Sequence, residues 1–317
     1  MRHGMPNSEH AIVVEHLSKR YGALLAVDDV SFAVAKGEVF AFLGPNGAGK
    51  STTAEIIETI RTPTSGRVTV LGMDVTRSKA KVVRRIGVLP QGFSSFDRIT
   101  VRESLSYYAR VFGCKADVDA LMDLTHLRDK ADARFNTLSG GLKQRLGIAA
   151  ALVNDPEVVF LDEPTTGLDP HARHAVWEVL KGLKERGKTV FLTTHYMEDA
   201  ELLADTVAII SKGRIVATDS PARLTEKHAD QLRLTLGSSD AAAPALLRKM
   251  GFDPTRTSDE SVCVEVSDAN DVRAILGEIE RAGLTVRGID VRKPNLEEVF
   301  LKLTEEHRPD AADKGSG

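Results

Sequence analysis

The consecutive residues Gly44-Pro45-Asn46-Gly47-Ala48-Gly49-Lys50-Ser51 fit the spacing G-x-x-x-x-G-K-[ST]. Glycines in such a loop let the backbone curl until several N–H groups converge on one anion, and a helix opening at its end adds a partial positive charge. Lys50 then reaches the β- and γ-phosphates and the Ser51 hydroxyl meets magnesium, with Thr52 beside it. A pair of carboxylates, Asp162 and Glu163, ends the apolar run Val158-Val159-Phe160-Leu161. The carboxyl end of a buried parallel strand is where open α/β sheets place ligand groups. There Asp162 is suited to hold magnesium through water, and Glu163 to polarise an attacking water. A third group, Ser139-Gly140-Gly141, opens another helix and forms a second site of backbone N–H groups and helix dipole. One γ-phosphate does not need two such sites. Their presence in one chain implies an ATPase that completes its active site with another subunit.

The elements that must position these groups are legible as an alternation of short apolar runs and longer amphipathic stretches over residues 11 to about 220, the pattern of an α/β domain on a largely parallel sheet. Strands are expected at Ala11–Glu15, Glu38–Leu43, Val68–Leu71, Ile86–Leu89, Glu157–Leu161, Thr189–Thr193 and Val207–Ser211, and helices at Gly49–Ile60, Val101–Phe112, Gly140–Val153, His171–Arg186 and Met197–Ala204. The rhythm then restarts on a smaller scale. Strands are expected at Gln231–Leu236, Ser261–Val266 and Thr285–Val291, with helices at Ala242–Met250, Ala269–Ala282 and Leu296–Thr304. In the last helix Asn295 can cap the start, and Leu296, Val299, Phe300 and Leu303 share one face. This gives a flexible stretch over 1–10, an ATPase domain over 11–228, a small α+β accessory domain over 229–304 and a polar, disordered tail over 305–317.

With 317 residues, of which 42% are hydrophobic and 27% charged, the chain can bury one large core and a smaller one. Its longest apolar runs fall far short of a membrane span, and the N-terminus lacks the apolar stretch of a secretion signal, so a cytoplasmic chain is expected. Cys114 and Cys263 form no paired motif and read as reduced, packed thiols. A net charge of -3 argues against a nucleic-acid-coating surface, and no nucleic-acid partner is expected.

Taken with the phosphate loop and the carboxylate pair, the segment Leu138-Ser139-Gly140-Gly141 resembles the signature of the ATP-binding-cassette superfamily, and the resemblance covers about residues 11–220. It implies a P-loop cassette with a mostly parallel core, an antiparallel β subdomain and a helical subdomain carrying the signature, which contacts the nucleotide held by an opposite subunit. ATP and Mg2+ are the implied cofactors. Further residues fall in the family's order. Tyr21 matches the aromatic that stacks on adenine, Gln91 the glutamine linking magnesium and the lytic water to a membrane partner, Asp169 in Gly167-Leu168-Asp169 the loop that communicates across the dimer, and His195 the switch histidine at the γ-phosphate. The catalytic set is thereby Glu163, His195, Gln91 and Lys50, with Ser51, Gln91 and Asp162 on the metal. Leu142 departs from the pattern, since glutamine is commonest at that position of the signature.

The tail Pro294-Asn295-Leu296-Glu297-Glu298-Val299-Phe300-Leu301, together with Thr194-His195-Tyr196-Met197-Glu198-Asp199-Ala200-Glu201, looks like the ATPases of the daunorubicin-resistance type of export system. That likeness implies a subunit held at the cytoplasmic face of the cell membrane by an integral membrane permease, powering export of a drug, lipid or other hydrophobic compound. One copy of each half of the composite site, neither of them degenerate, makes a head-to-tail homodimer the simplest arrangement. A nutrient-importer ATPase would share the catalytic motifs without this C-terminal pattern. A soluble ATPase with no membrane partner is the other alternative. The loop Gly92-Phe93-Ser94-Ser95-Phe96-Asp97 after Gln91 is expected to form the permease's socket, unless Phe93 and Phe96 merely fill the core.

Overall fold

All residues of the run Val39–Leu43 are buried, as a strand covered on both faces must be. It lies in the middle of the larger sheet of a computed structural model that describes residues 9–227, 232–238, 240, 242–257, 261–293 and 295–306. The chain divides into two compact units between Pro221 and Ala222.

The first unit opens with strands β1 (His10–Tyr21), β2 (Leu24–Ala35) and β3 (Val39–Leu43), then helix α1 (Lys50–Ile57). Strands β4 (Ser65–Val70) and β5 (Met73–Asp74), helix α2 (Lys79–Val83) and strand β6 (Ile86–Leu89) follow. Three helices come next: α3 (Val101–Phe112), α4 (Val118–Leu124) and α5 (Gly140–Ala151). The unit ends with β7 (Val158–Asp162), α6 (Pro170–Glu185), β8 (Thr189–Thr194), α7 (Met197–Leu203), β9 (Thr206–Ser211) and β10 (Arg214–Asp219). The larger sheet has the order β10-β9-β3-β8-β7-β6, parallel throughout except for the β10–β9 pair. A second, antiparallel sheet has the order β2-β1-β4-β5. Between the two, Phe32 of β2 stacks on Phe40 of β3 at 5.2 Å, and Phe40 stacks on Phe191 of β8 at 5.6 Å. Helices α3, α4 and α5 enclose a separate core around Leu105, Met122, Phe135, Leu138 and Leu146.

The fold expected from the sequence is therefore present, with elements that sequence patterning did not reveal. Strand β2 was missed because Asp29, in the left-handed region at φ 53, breaks the two-residue alternation just before Val30, Phe32 and Val34 turn inward. Helices α2, α4 and α8 (Pro221–Lys227), and the edge strands β5 and β10, are short or half-exposed and carry no long periodic signal.

In the second unit, strands β11 (Leu232–Leu236), β12 (Thr255–Arg256), β13 (Val262–Val266) and β14 (Ile289–Arg292) form an antiparallel sheet of order β12-β13-β11-β14. Helices α9 (Ala242–Lys249) and α10 (Ala269–Arg281) contribute Leu247, Ile275 and Ile279 to its core. The expected strand Thr285–Val291 begins later than its apolar pattern suggests, because the chain first crosses Gly237 at Gly288, where the backbones bond directly. In α11 (Leu296–Glu306), Asn295 Oδ1 accepts from the backbone N–H of Glu298 at 3.0 Å, and Leu296, Val299, Phe300 and Leu303 are buried. Pro294, the stretch over 1–8 and the tail from 307 onward lie outside the described residues.

Candidate active site

The phosphate-loop sequence forms the turn between β3 and α1. Gly49 occupies the N-cap of α1 at φ 103, and a Cβ there would stand 2.5 Å from the Ala26 carbonyl oxygen, so both conformation and space demand glycine. Pro45, Asn46, Gly47 and Ser51 are exposed while Ala48 is buried. Lys50 is buried and its Nζ donates to the carbonyl oxygens of Gly44 at 2.7 Å and Pro45 at 3.2 Å. Burial holds its ammonium below the usual lysine range, although the charges of Glu163 and Asp162 pull the other way.

Glu163 is the hub of the site. Its Oε1 stands 3.7 Å from Lys50 Nζ and 3.2 Å from His195 Nδ1, the latter placed for charge interaction but not aligned as a hydrogen bond. Its Oε2 accepts from Gln91 Nε2 at 3.3 Å and from Thr166 Oγ1 at 3.1 Å. Glu163 adopts a left-handed backbone at φ 48, an uncommon conformation for a residue with a side chain, and its N–H donates to both the Thr193 carbonyl and Thr193 Oγ1 at 3.1 Å. Thr193 Oγ1 also donates to Asp162 Oδ1. Burial raises the Asp162 carboxyl above its usual range, and the Thr193 hydroxyl opposes that shift. Lys50, Asp162, Glu163, His195 and Gln91, drawn from four separate stretches of sequence, thus form one cluster.

Behind this cluster lies a polar network that motif reading overlooked. Asp199 is fully buried and accepts from Thr165 Oγ1 at 2.5 Å, Thr194 Oγ1 at 2.9 Å and Trp177 Nε1 at 2.8 Å. It thereby ties the turn after Glu163, the strand end before His195 and helix α6 to one carboxylate. An aspartate on a helix just after a strand end was the available signal, but two of its three partners, Thr165 and Trp177, are distant in sequence.

The second glycine group stands apart. Ser139 caps α5, its Oγ accepting from the Leu142 N–H at 3.4 Å, and Asp169 caps α6, its Oδ1 accepting from the Ala172 N–H at 2.9 Å. The two glycines have different surroundings. Gly140 is exposed with room beside it, whereas a Cβ on Gly141 would come within 2.6 Å of Ala172 Cβ, so Gly141 lets α5 lie against α6. Leu142 packs on the helical core, which accounts physically for an apolar residue at that position. Among the described residues, no hydrogen bond or ion pair joins Ser139, Gly140, Gly141 or Asp169 to Lys50, Asp162, Glu163 or His195. Tyr21 ends β1 and is 37% exposed, and Lys19 Nζ and Arg61 lie 5.1 and 5.6 Å from the ring centre.

Beyond Gln91 the two aromatics part company. Phe93 packs on the helical core against Tyr108 and Phe135, each at 6.2 Å between ring centres, while Phe96 is 56% exposed and meets Tyr107 edge-on. The core reading therefore holds for Phe93 and fails for Phe96. Beside this loop a cavity of about 600 Å³ opens between α1, β6, α3 and α5, lined by Ile60, Val83, Val88, Phe93 and Phe112 with Glu58 in its wall. Burial, reinforced by the charges of Asp162 and Glu55, pushes the Glu58 carboxyl up to about 8.

The ABC transporter family model matches residues 27–166. The Nod factor export ATP-binding protein I of Mesorhizobium japonicum is 42% identical over 309 residues, covering 95% of this chain and 89% of its own. The protein of the same name from Paraburkholderia xenovorans is 44% identical, covering 93% and 97%. Among solved structures, cbiO1 of Clostridium perfringens, part of an ABC transporter complex, superposes with a TM-score of 0.62 at 27% identity over 69% of this chain and 92% of its own. A dimeric ATP-binding cassette in a post-hydrolysis state with ADP and Pi gives 0.60 at 26% identity over 66% and 98%. The chain belongs to the ABC transporter family. It is an ATP-binding subunit of that family, and an ATPase.

Proposed function

We propose that this ATPase powers export through a separately encoded membrane permease. The observation that carries this reading is the extent of the likeness to the Nod factor export proteins, which spans 93–95% of the chain and so includes the second unit as well as the cassette. The ATPase work is assigned to residues 11–228 and an accessory role to 229–304, in the manner of the daunorubicin-resistance exporters. The cargo class is a drug, lipid or other hydrophobic compound. Among the described residues no helix is long and apolar enough to cross a membrane, in keeping with attachment to the cytoplasmic face through the permease.

The geometry supports specific roles. The loop Gly44–Ser51, through the backbone N–H groups it leaves free, cradles the phosphates with Thr52, and Lys50 supplies the positive charge beside Glu163. Glu163 has one oxygen facing Lys50 and His195 and the other facing Gln91, which suits a base that orients water toward a phosphate held by Lys50 and His195. The exposed Ser51 hydroxyl, the Gln91 side-chain carbonyl and Asp162 are hard oxygen donors that fit magnesium. No set of three His, Cys, Asp or Glu side chains among the described residues can hold a metal alone, consistent with an ion that arrives with the nucleotide. When bound, magnesium neutralises charge on the β- and γ-oxygens. Tyr21, exposed at its strand end, offers a ring to adenine. Ser139 and Gly140 are exposed at the start of α5, Asp169 caps the neighbouring α6, and none of them bonds the phosphate-loop cluster of the same chain, so they serve the nucleotide of a second copy in a head-to-tail homodimer.

Reconstitution with the permease in inside-out vesicles tests the direction. ATP-dependent accumulation of cargo inside the vesicles is expected, and uptake in the opposite sense would assign the chain to import. Failure of any membrane protein to assemble with it would remove the permease from the reading.

A further inference from the structure

Among the described residues no hydrogen bond holds the His195 imidazole. Its Nδ1 is buried without a hydrogen-bond partner, although Glu163 Oε1 lies 3.2 Å away, and the last torsion of a histidine side chain is broad, so packing must settle where the ring points. What packs on it is the next residue. The Tyr196 ring lies 4.2 Å from the His195 ring between centres, tilted by 37°. Tyr196 is itself fixed at the backbone, where its N–H donates to Thr194 Oγ1 at 2.9 Å.

The same phenol ring carries a cation. The guanidinium carbon of Arg173 stands over it, 4.8 Å from the ring centre, and Arg173 Nη1 donates to Glu198 Oε2 at 3.1 Å. Arg173 is mostly withdrawn from water, and its Nε is buried with no acceptor of its own. Filling space would explain a half-buried tyrosine, but not a cation brought out of water to sit on it at the expense of a hydrogen bond. A planar guanidinium stacks on an aromatic face as the compact ammonium of lysine does not, which suits arginine to such a clamp. Arg173 lies in the first turns of α6, where its backbone N–H donates to the Asp169 carbonyl at 2.9 Å. The stack therefore runs from the start of α6 through Tyr196 to His195, and ends at Glu163.

We propose that Tyr196 and Arg173 are positioning residues of the ATPase reaction. The guanidinium holds the phenol ring, and the ring holds the His195 imidazole in the orientation that faces Glu163 and the γ-phosphate. Both act through His195 rather than on the nucleotide. The inference rests on the assignment of His195 to the γ-phosphate and adds to it the groups that aim it. Misplacing a reacting group by about 1 Å can cost about 10²-fold in rate, so a loosened imidazole shows in kcat rather than in nucleotide affinity.

The test uses steady-state and single-turnover ATP hydrolysis by the full chain carrying Tyr196→Leu, Tyr196→Phe, Arg173→Met or His195→Ala, alone and combined. Tyr196→Leu and Arg173→Met should each lower kcat by about tenfold or more while KM for ATP changes by less than about threefold, and Tyr196→Phe, which keeps the ring, should stay within about threefold of the parent. In the His195→Ala background neither Tyr196→Leu nor Arg173→Met should slow the reaction further, because the group they aim is gone. A merely structural role would make the losses multiply. Multiplying losses, an unchanged kcat in either Tyr196→Leu or Arg173→Met, or a Tyr196→Phe protein as slow as Tyr196→Leu would overturn the proposal. If Tyr196→Leu does not fold, as read from its urea midpoint, Arg173→Met decides through the same cycle. The two readings fail separately: full turnover by His195→Ala removes His195 from the γ-phosphate, whereas a slow His195→Ala protein beside unimpaired Tyr196→Leu and Arg173→Met removes only the positioning.

Discussion

Gln91 Nε2 donates to Glu163 Oε2 across 3.3 Å, joining the loop that borders the apolar cavity to the carboxylate at the centre of the phosphate site. The loop that borders the cavity through Pro90 and Gly92 is thereby tied to the group suited to polarise water. Several consequences can be measured.

Glu163→Gln should retain ATP binding and lose turnover by about 10²–10⁴-fold, because polarising water matters in the transition state while the phosphate contacts already hold the ground state. Lys50→Ala should instead weaken nucleotide binding. Equilibrium binding of a fluorescent ATP analogue beside steady-state hydrolysis separates the two, and equal loss of binding in both variants would contradict these roles.

With hydrolysis blocked, the composite site should trap the dimer. Glu163→Gln is expected to shift from monomer to dimer on adding ATP and magnesium, and Ser139→Arg in the same background should prevent the shift by crowding the exposed start of α5. Light scattering after size-exclusion chromatography would read this, and a Glu163→Gln protein that stays monomeric at saturating ATP would sink it.

Asp199 accepts from Thr165, Thr194 and Trp177 in a fully buried setting. Asp199→Ala should cost about 3 kcal/mol or more in urea unfolding, since three buried donors lose their acceptor. Because the same carboxylate positions the turns that carry Glu163 and His195, kcat should fall in protein that is still folded. Loss of stability with kcat intact would reduce Asp199 to a structural role.

Phe93 and Phe96 should behave in opposite ways. Phe93→Ala is expected to destabilise the chain by about 2–4 kcal/mol through a cavity in the helical core. Phe96→Glu, on an exposed ring, should leave folding and basal ATPase nearly intact while abolishing assembly with the permease. Insolubility of Phe96→Glu would mean that its ring belongs to the core after all.

Glu58 gives the isolated subunit a pH signature. Its folded value of about 8 lies above the ordinary value of 4.5, so the folded chain binds this proton more tightly than the unfolded chain does. The stability linked to it is complete below the unfolded value and is lost as pH rises through the folded one. Glu58→Gln, which stays neutral, should match the parent near about pH 4.5 and exceed it by roughly 2 kcal/mol or more near about pH 8. Denaturation at both pH values checks this, and a gap that does not widen with pH would refute it.

The sequence by itself determined the phosphate loop, the carboxylate pair and the helix start at Ser139, because each depends on neighbours a few residues away: a strand before, a glycine within, a cap and a helix after. Sequence periodicity likewise located α3 and β6 to the residue, where apolar spacing and burial coincide. Only tertiary structure decided what those groups meet. The contacts of Glu163 with Lys50, Gln91 and His195, and of Asp199 with Thr165 and Trp177, join stretches separated in the chain, and nothing in local spacing encodes them. The same holds for Phe93 and Phe96: with the same side chain and nearly the same position in one loop, one is packed and the other exposed, because burial belongs to the fold around a residue rather than to the residue.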